Sequence, residues 1–294
     1  MDVLRAADLA ERLEEVVELA AAIKDDPEPW FGRLPHQTMV ALFERPSTRT
    51  RVAFAAAAHR LGMLPLFVGP GELQLGHGEE TADTARSLSS YASTIVVRAH
   101  SHETIEELAA AASVPVINAL SDLHHPCEAV ASLLTLREHF GRLKGLRLAY
   151  VGEGNNVAHS LLEAGALAGA SVAVASPPEF APDPQVVAAA RILASANGGG
   201  VDVGEDPVAA VTGADAVFTD VWPGGAGDRF APFRVDSALM RHASPQAVFV
   251  HCLPARRGEE VTAEILDGPA SLVWQQVANH LPVAQALLCT VAAS

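Results

Sequence analysis

The sequence predicts an α/β fold with two doubly wound domains, each a parallel sheet flanked by helices. The chain has 294 residues, about 1.5 to 2 times the length of a typical domain. Short β-rich runs alternate with helical segments along almost the whole chain, as they do in βαβ units. Hydrophobic residues make up 49% of the chain but aromatic residues only 5%. Alanine, valine and leucine must therefore build the cores of both domains.

Ten runs of residues carry the strand pattern, and two sheets of about five strands accommodate them better than one sheet of ten. The runs are 37–43, 64–69, 93–99, 114–120, 147–152, 171–176, 200–204, 216–221, 247–253 and 271–275. Helical segments lie between most of them. We therefore expect neighbouring strands to be parallel, with helices on both faces of each sheet.

Helical segments at the start, middle and end of the chain define the predicted domains. Residues 1–23 have the pattern of an acidic amphipathic helix rather than of a signal peptide. Residues 126–145 predict a long helix that ends at Gly145 and connects the two halves. The final helix, roughly 278–292, has no strand after it and is expected to pack back on the first half. The predicted first domain, connecting helix, second domain and C-terminal helix are 1–125, 126–145, 146–277 and 278–294.

Composition and charge disfavour several classes of function. The net charge of −15 and the pI of about 5.1 disfavour nonspecific binding to nucleic acid, which requires a cationic surface. No hydrophobic run reaches the roughly 18 residues of a membrane span. The three cysteines are odd in number and far apart, which indicates a reducing, cytoplasmic environment. Because no His/Cys/carboxylate cluster has the spacing of metal ligands, we expect neither a metal nor a cofactor.

The segment "FERPSTRTR", 43–51, lies where a buried strand gives way to a helix. A helix N-terminus offers free backbone N–H groups and a partial positive charge. Ser47 is the predicted N-cap, Thr48 and Thr50 add hydroxyl groups, and Arg49 adds a forked cation suited to phosphate oxygens. The junction therefore predicts a phosphate site, although it lacks the glycines and lysine of a Walker A loop. The alternative is an ordinary capped helix whose arginines form surface salt bridges.

Other polar residues stand at strand ends and helix starts, where parallel α/β sheets bind their ligands. Arg98 follows the apolar run "STIVV", and His125 precedes Pro126 at a helix start. Asp220 ends the strand "AVFT" and is suited to accept from an ammonium group, or else caps a turn or helix. Cys252 ends another strand and is compatible with a simple core position.

The segment "GEGNNV", 152–157, follows a strand and opens a helix, which invites comparison with a dinucleotide-binding turn. A valine stands where the third glycine of that fingerprint belongs, so we do not expect NAD to bind. The amides of the two asparagines are instead suited to the carboxylate of an amino acid.

Six segments in order resemble the aspartate and ornithine carbamoyltransferases over nearly the whole chain. They are "STRTR", "LQLGHGEETADTARSLSSYASTIVVRAH", "HPCE", "YVGEGNNVAHSLL", "FTDVW" and "HCLPARRGEEV". The resemblance is closer to the ornithine enzymes, chiefly through "HCLP" and "GNNVAHSLL". It implies carbamoyl transfer from carbamoyl phosphate to the side-chain amine of ornithine or a close analogue, in a cleft between two domains. It also implies a homotrimer.

The resemblance assigns roles to individual residues. Thr50, Arg98 and His125 would polarise the carbamoyl carbonyl, and Cys252 would lie beside the reacting centre. The residues that would bind carbamoyl phosphate are Ser47, Thr48, Arg49, Thr50, Arg98, His125, Glu128, Cys252, Leu253 and His280. Those that would bind the acceptor are Asn156, Asp220, Gly224, Gly225 and Cys252.

The sequence departs from the family pattern at three places. Glu128 replaces the glutamine of the His-Pro-x-Gln motif, and His280 stands where an arginine is expected. Pro223-Gly224-Gly225-Ala226 replaces the Ser-Met-Gly loop that closes on the amino acid. A carboxylate near phosphate is unfavourable unless it is protonated or paired. We therefore hypothesise that Glu128 pairs with a protonated His280.

Three functions remain open from the sequence. The first is carbamoyl transfer to ornithine or a close analogue. The second is transfer to another diamino acid or a diamine in a specialised pathway, which the changed loop favours. The third is a catalytically weak relative that binds phosphate metabolites or serves as a partner subunit, which the exchanges at Glu128 and His280 favour.

Overall fold

The computed structural model describes residues 1–69, 71–72, 78–225 and 227–293. It confirms the predicted α/β class, because every strand pair in both of its sheets is parallel. The chain forms two compact units, one of Met1–Val130 with Asn279–Ser294 and the other of Ala131–Ala278. Within the described ranges, no helix combines the length and apolarity needed to cross a bilayer.

The sheet of the first unit has four strands in the order β2-β1-β3-β4. The strands are β1 (Thr38–Phe43), β2 (Leu64–Val68), β3 (Thr94–Arg98) and β4 (Val116–Leu120). Val3 adds one parallel bridge beside Ile117 of β4, so this sheet has four strands and a bridge where about five strands were predicted. The helices here are α1 (Leu13–Asp25), α2 (Arg49–Arg60), α3 (Thr81–Ser89) and α4 (His102–Ala111).

The sheet of the second unit has five strands in the order β7-β6-β5-β8-β9. The strands are β5 (Arg147–Val151), β6 (Ser171–Ala175), β7 (Gly200–Gly204), β8 (Ala216–Thr219) and β9 (Val248–His251). The helices are α6 (Asn156–Leu167), α7 (Pro184–Asn197), α8 (Pro207–Val211), α9 (Ser237–Met240) and α10 (Ala263–Leu266). Two further helices, α5 (Pro126–Phe140) and α11 (Val273–Ala292), contribute residues to both units.

The strands are aliphatic and buried, which explains why the alternation of strands and helices is predictable from the sequence. In β3, for example, Ile95, Val96 and Val97 are all buried, as expected for strands covered on both faces. The strand order of each sheet reverses beside its first strand, between β1 and β3 and between β5 and β8. Such switch points are where open α/β sheets bind ligands, at the carboxyl ends of the strands.

Three predicted boundaries are wrong. Ser271 makes only an isolated bridge to Phe249, and α11 begins at Val273, so 271–275 is not a tenth strand. The connecting helix α5 ends at Phe140, because the earlier Gly141 adopts φ 70° and its N–H closes the last turn on Arg137. The N-terminal helix is broken into a short 3-10 turn, Ala6–Leu9, and α1.

Candidate active site

The turn from β1 into α2 leaves the start of that helix without a side-chain cap. The N-cap is Thr48, not the predicted Ser47, and α2 begins at Arg49. Thr48 has φ −87° and ψ −57°, which is helical rather than the extended geometry of a capping residue, and its side chain makes no cap hydrogen bond among the described residues. Thr50, in the first turn, is buried. Backbone N–H groups at this end are thus not satisfied by the chain's own cap.

Arg98 is brought beside this turn by the sheet. It is the last residue of β3 and pairs in register with Phe43, the last residue of β1. Its carbonyl accepts from the N–H of Glu44 over 2.9 Å, which fixes the start of the turn. The register against β4 shifts between Val97 and Arg98, an irregularity that re-aims a strand-end side chain.

Three buried ionisable side chains complete the polar cluster of the first unit. His125 precedes α5, Glu128 lies in its first turn, and His280 lies on α11. Glu128 Oε2 is 3.1 Å from His280 Nε2 and 3.7 Å from His125 Nε2. The hypothesised contact between Glu128 and His280 is therefore present.

The pKa values of these groups follow from burial and from their neighbours. Burial lowers the pKa of His125 to about 4, against the opposing pull of Glu128, so the ring is neutral at pH 7. Burial also opposes charge on His280 and Glu128, but their mutual attraction prevails: the pKa of His280 is raised and that of Glu128 is lowered. Arg49 acts on all three groups and Arg98 on His125, so both arginines lie near the cluster.

The second unit holds a cluster built on asparagine and aspartate. Asn155 caps α6, its Oδ1 accepting from the N–H groups of Val157 and Ala158 at 3.0 and 3.3 Å. The amide of the same residue donates to Asp220 Oδ2 over 2.8 Å. Cys252 Sγ donates to Asp220 Oδ1 over 3.1 Å. Strand ends at β5, β8 and β9 thus meet at Asp220.

Asn155 and Tyr150 were missed by the sequence reasoning, which selected the neighbouring Asn156. Asn156 is the first residue of α6. Tyr150 donates its hydroxyl to Asn155 Oδ1 over 3.2 Å, and burial raises its pKa well above 10. The cap position of Asn155 is a signal that the sequence did contain, because asparagine directly before a helix is a preferred N-cap.

Glu153 adds a second carboxyl group to this cluster. Burial raises the pKa of Glu153, and the nearby charge of Asp220 raises it further. Two neighbouring carboxyl groups at a strand end favour a bound cation, whose charge would stabilise both ionised forms.

The loop after β8 is described in part. Gly224 and Gly225 lie in an exposed turn, and Gly225 has φ 80°. The preceding Trp222 is buried and packs on Phe230 at a ring-centroid distance of 5.5 Å. Ala226 and residues 73–77 of the "LQLGHGEE" segment lie outside the described residues.

Ligand atoms of Asp220, His251 and Cys252 lie within 4.8 Å of one another, a grouping that sequence spacing did not predict. Both ring nitrogens of His251 already have protein contacts, with the Leu253 N–H at 2.9 Å and Glu260 Oε1 at 3.3 Å. A metal ion would have to displace these contacts and the Cys252–Asp220 bond. The donor set is better suited to hydrogen bonding.

Comparison with known proteins agrees with the six motifs. The family model described as "Aspartate/ornithine carbamoyltransferase, carbamoyl-P binding domain" matches residues 1–138. The model described as "Aspartate/ornithine carbamoyltransferase, Asp/Orn binding domain" matches residues 144–291. The chain belongs to the aspartate/ornithine carbamoyltransferase family.

Individual members of this family match along almost their full length. Ornithine carbamoyltransferase of Symbiobacterium thermophilum is 46% identical over 299 residues, covering 96% of this chain and 94% of the relative. The enzyme of that name from Methanothermobacter thermautotrophicus is 48% identical over 286 residues, covering 94% and 95%. The solved ornithine carbamoyltransferase of Pyrococcus furiosus superposes with a TM-score of 0.96 at 43% identity, covering 100% of this chain and 97% of that one.

Proposed function

We propose that this protein transfers the carbamoyl group of carbamoyl phosphate to the side-chain amine of ornithine, giving citrulline and phosphate. The observation that carries the proposal is the cluster of the first unit, in a chain of the carbamoyltransferase family. There a helix start without a side-chain cap, two arginines and a neutral buried histidine lie near one another. Relatives that match nearly the whole chain are named ornithine carbamoyltransferase.

The phosphate is bound at the start of α2. Backbone N–H groups there, the hydroxyls of Ser47, Thr48 and Thr50, and the guanidinium of Arg49 donate to its oxygens. The helix dipole adds attraction for an anion, and the partial burial of Arg49 reduces screening by solvent.

The pair of Glu128 and His280 leaves the charge of the site suited to this ligand. A carboxylate alone would repel the phosphate. Since Glu128 lies 3.1 Å from the ring of His280 and raises its pKa, the pair is close to neutral when the ring is protonated. The charges of Arg49 and Arg98 then remain to balance the phosphate dianion. Glu128 is also suited to accept from the carbamoyl NH2.

The chemical step needs electrophilic help rather than a nucleophile from the protein. The unprotonated amine attacks the carbamoyl carbon, and negative charge develops on the carbonyl oxygen. Arg98, Thr50 and the neutral imidazole of His125 donate to that oxygen, usually the largest catalytic contribution. The C–N bond forms, the C–O bond to phosphate breaks, and the leaving phosphate accepts the amine proton.

The acceptor is bound by the asparagine and aspartate cluster of the second unit. The carboxylate of Asp220, held by Asn155 and Cys252, accepts from the α-ammonium group of ornithine. Glu153 is a second carboxyl group nearby, and its ionised form would be stabilised by the bound cation. Asn156 binds the carboxylate of the amino acid, and Cys252, Gly224 and Gly225 border the side chain.

A second candidate is carbamoyl transfer to another diamino acid or to a diamine. The loop Pro223-Gly224-Gly225 favours it, because it lacks the serine hydroxyl and the methionine of the family loop. A colorimetric assay for ureido products, run with carbamoyl phosphate and a panel of amines, separates the candidates. We expect ornithine to give the highest kcat/KM. A higher value for another amine would favour the second candidate, and absence of product with every amine would contradict both.

We also propose a homotrimer in the cytosol. Val52 on α2 and Leu64 and Leu66 on the edge strand β2 are 61%, 56% and 44% exposed, which is apolar surface suited to contact between copies. The three cysteines are thiols rather than disulfides, as in a reducing compartment. Light scattering should give three times the 30.7 kDa mass of one chain. The mass of a monomer or dimer would contradict the trimer.

A further inference from the structure

The end of β9 carries a buried chain of hydrogen bonds to which the chemical step assigns no role. The ring of His251 accepts at Nδ1 from the Leu253 N–H over 2.9 Å. Its Nε2 lies 3.3 Å from Glu260 Oε1, and the same oxygen accepts from the Arg256 N–H over 2.5 Å. His251 and Glu260 are both fully buried or nearly so.

The backbone contact decides which nitrogen of His251 carries the proton. A backbone N–H can only donate, so Nδ1 must present its lone pair to Leu253. In a neutral ring the proton is then on Nε2, from which it donates to Glu260. Exchange of the tautomer would place two donors face to face at Leu253 and would leave Glu260 facing a lone pair. Glu260 therefore selects the form of the ring that can bind the Leu253 amide.

Leu253 needs such support because of its backbone conformation. Its φ is 58°, in the left-handed region that disfavours residues with a side chain. The burial of Glu260 costs free energy, because its second oxygen has no hydrogen-bond partner in the described part of the chain. A buried carboxylate with one unsatisfied oxygen is a poor contribution to stability alone.

We propose that Glu260 and His251 are positioning residues, which hold the Leu253 amide and thereby the Cys252–Leu253 segment in the conformation that carbamoyl transfer uses. This inference rests on the proposed function, in which Cys252 borders the side chain of the bound ornithine. Glu260 fixes the proton on Nε2 of His251, and Nδ1 fixes the turn. Neither residue touches a substrate.

Two substitutions of His251 separate the two ends of the ring. Asparagine carries an oxygen near the position of Nδ1. His251→Asn therefore keeps an acceptor for the Leu253 N–H but loses the hydrogen bond to Glu260. The amide of glutamine reaches the position of Nε2. His251→Gln therefore keeps the hydrogen bond to Glu260 but loses the acceptor for the Leu253 N–H. We expect His251→Asn to retain kcat/KM within about fivefold, and His251→Gln to lose about 100-fold.

The loss should be confined to steps that use the Cys252–Leu253 segment. For His251→Gln we expect kcat to fall and KM for ornithine to rise, with the affinity for inorganic phosphate unchanged, because phosphate is assigned to the start of α2. A merely structural role would change the fraction of folded protein and leave the kinetic constants of that fraction intact.

Substitutions of Glu260 have a matched control one residue away. Glu260→Gln retains an oxygen for both donors and should remain within about threefold of the wild-type kcat, whereas Glu260→Leu should lose about 30-fold. Glu259 is exposed and its side chain pairs only with exposed Arg256 among the described residues. Glu259→Leu should leave kcat unchanged. Equal losses in Glu259→Leu and Glu260→Leu would overturn the proposal.

Hydrogen–deuterium exchange resolved to the Leu253 amide tests the inference without any substrate. We expect slow exchange in the wild type and in His251→Asn, and exchange at least tenfold faster in His251→Gln and Glu260→Leu. Equal exchange in the two His251 variants overturns the inference even if citrulline is formed. Absence of citrulline formation by the wild type overturns the proposed function and leaves the exchange result to decide the positioning role. If His251→Gln does not fold, Glu260→Leu against Glu260→Gln decides it.

Discussion

The two strand-to-helix turns at the switch points of the sheets differ in how the start of the helix is capped. At the β5–α6 turn, Asn155 caps the helix with its own side chain, binding the N–H groups of Val157 and Ala158. At the β1–α2 turn, the N-cap Thr48 makes no such bond among the residues described. The first helix start thus has no side-chain cap among the described residues, whereas the second is capped. The proposed function assigns the phosphate to the turn without a side-chain cap and the ammonium group to the turn that is capped.

The charges near the two turns differ in the same sense. Arg49 and Arg98 lie near the first turn, where Glu128 raises the pKa of His280 and so favours its charged form. Glu153 and Asp220 lie near the second. A phosphate dianion fits the first environment and an ammonium group fits the second.

The largest expected effect comes from the cation at the first turn. Arg49→Met should lower kcat/KM about 1,000-fold, because a donor to the phosphate in a partly buried site is lost. Arg51→Met, two residues along the same helix, is the control: its guanidinium is exposed and lies 5.0 Å from the ring of Phe67. Steady-state kinetics with varied carbamoyl phosphate should show the loss of kcat/KM in Arg49→Met but not in Arg51→Met. Similar losses at both positions would remove the distinction between the two turns.

The next effect concerns the buried pair of the first unit. Glu128→Leu leaves His280 without its 3.1 Å partner and should lower the free energy of unfolding by about 3 kcal/mol. Glu128→Gln, which keeps an acceptor, should lose about 1 kcal/mol. Urea unfolding at pH 6 measures both losses.

A thermodynamic cycle on the same pair tests its coupling. Glu128→Gln and His280→Arg restore the family pattern one residue at a time, and the double variant restores both. We expect the double variant to bind carbamoyl phosphate better than the sum of the single effects predicts. Strictly additive effects would contradict the compensation between these residues.

The third effect is the response of stability to acid. The pKa of His125 falls from 6.5 to about 4 on folding. At a pH between these two values, the unfolded chain binds a proton at His125 and the folded chain does not. Between pH 7 and pH 5 this should destabilise the fold by about 2 kcal/mol. His125→Gln should remove that contribution in unfolding curves at the two pH values. An identical acid response in both proteins would contradict a neutral His125.

The contribution of His280 to the pH dependence of stability has the opposite sign to that of His125, whereas the contribution of Glu128 has the same sign at lower pH. The pKa of His280 is raised, so its stabilisation is fully present below 6.5 and is lost as the pH rises through the folded value. The pKa of Glu128 is lowered, so its stabilisation is present above 4.5 and is lost as the pH falls through the folded value. Comparison of His125→Gln with the wild type isolates the contribution of His125 from these two.

The smallest effect compares the two caps directly. Asn155→Ala should lower the free energy of unfolding by about 1 kcal/mol, since it removes the cap of α6. Thr48→Ala should change it by less than about 0.5 kcal/mol, because no cap bond of its side chain is present to lose. Equal losses in urea unfolding would show that the two helix ends are capped alike.

Much of the fold was predictable because each buried strand is a continuous apolar run. Nine of the ten predicted runs contain a strand, and strand-end placement put Arg98 and Asp220 beside their turns. The tenth run is not a strand because it overlaps the start of α11. Its pairing with β9 is limited to two backbone hydrogen bonds at Phe249. Helix ends were less predictable, since Gly141 and Gly145 are both able to end α5 and only the fold selects between them.

The contacts within the sites depend on long-range packing and were mostly beyond the sequence. Glu128 and His280 are an exception, because two departures that compensate in charge suggested their contact before it was seen at 3.1 Å. Nothing local indicates that Asn155 reaches Asp220, or that Glu260 reaches His251. Which amide caps a helix and which binds a ligand likewise depends on backbone angles that neighbouring residues alone do not determine.

Hydrogen–deuterium exchange with and without carbamoyl phosphate tests the difference between the two turns most directly. If the start of α2 binds the phosphate, carbamoyl phosphate alone should slow exchange at the amides of 48–52 and leave those of 156–160 unchanged. Arg49→Met should abolish the slowing, and Arg51→Met should preserve it. Slowed exchange at 156–160 with none at 48–52 would place the anion on the wrong helix and contradict the account.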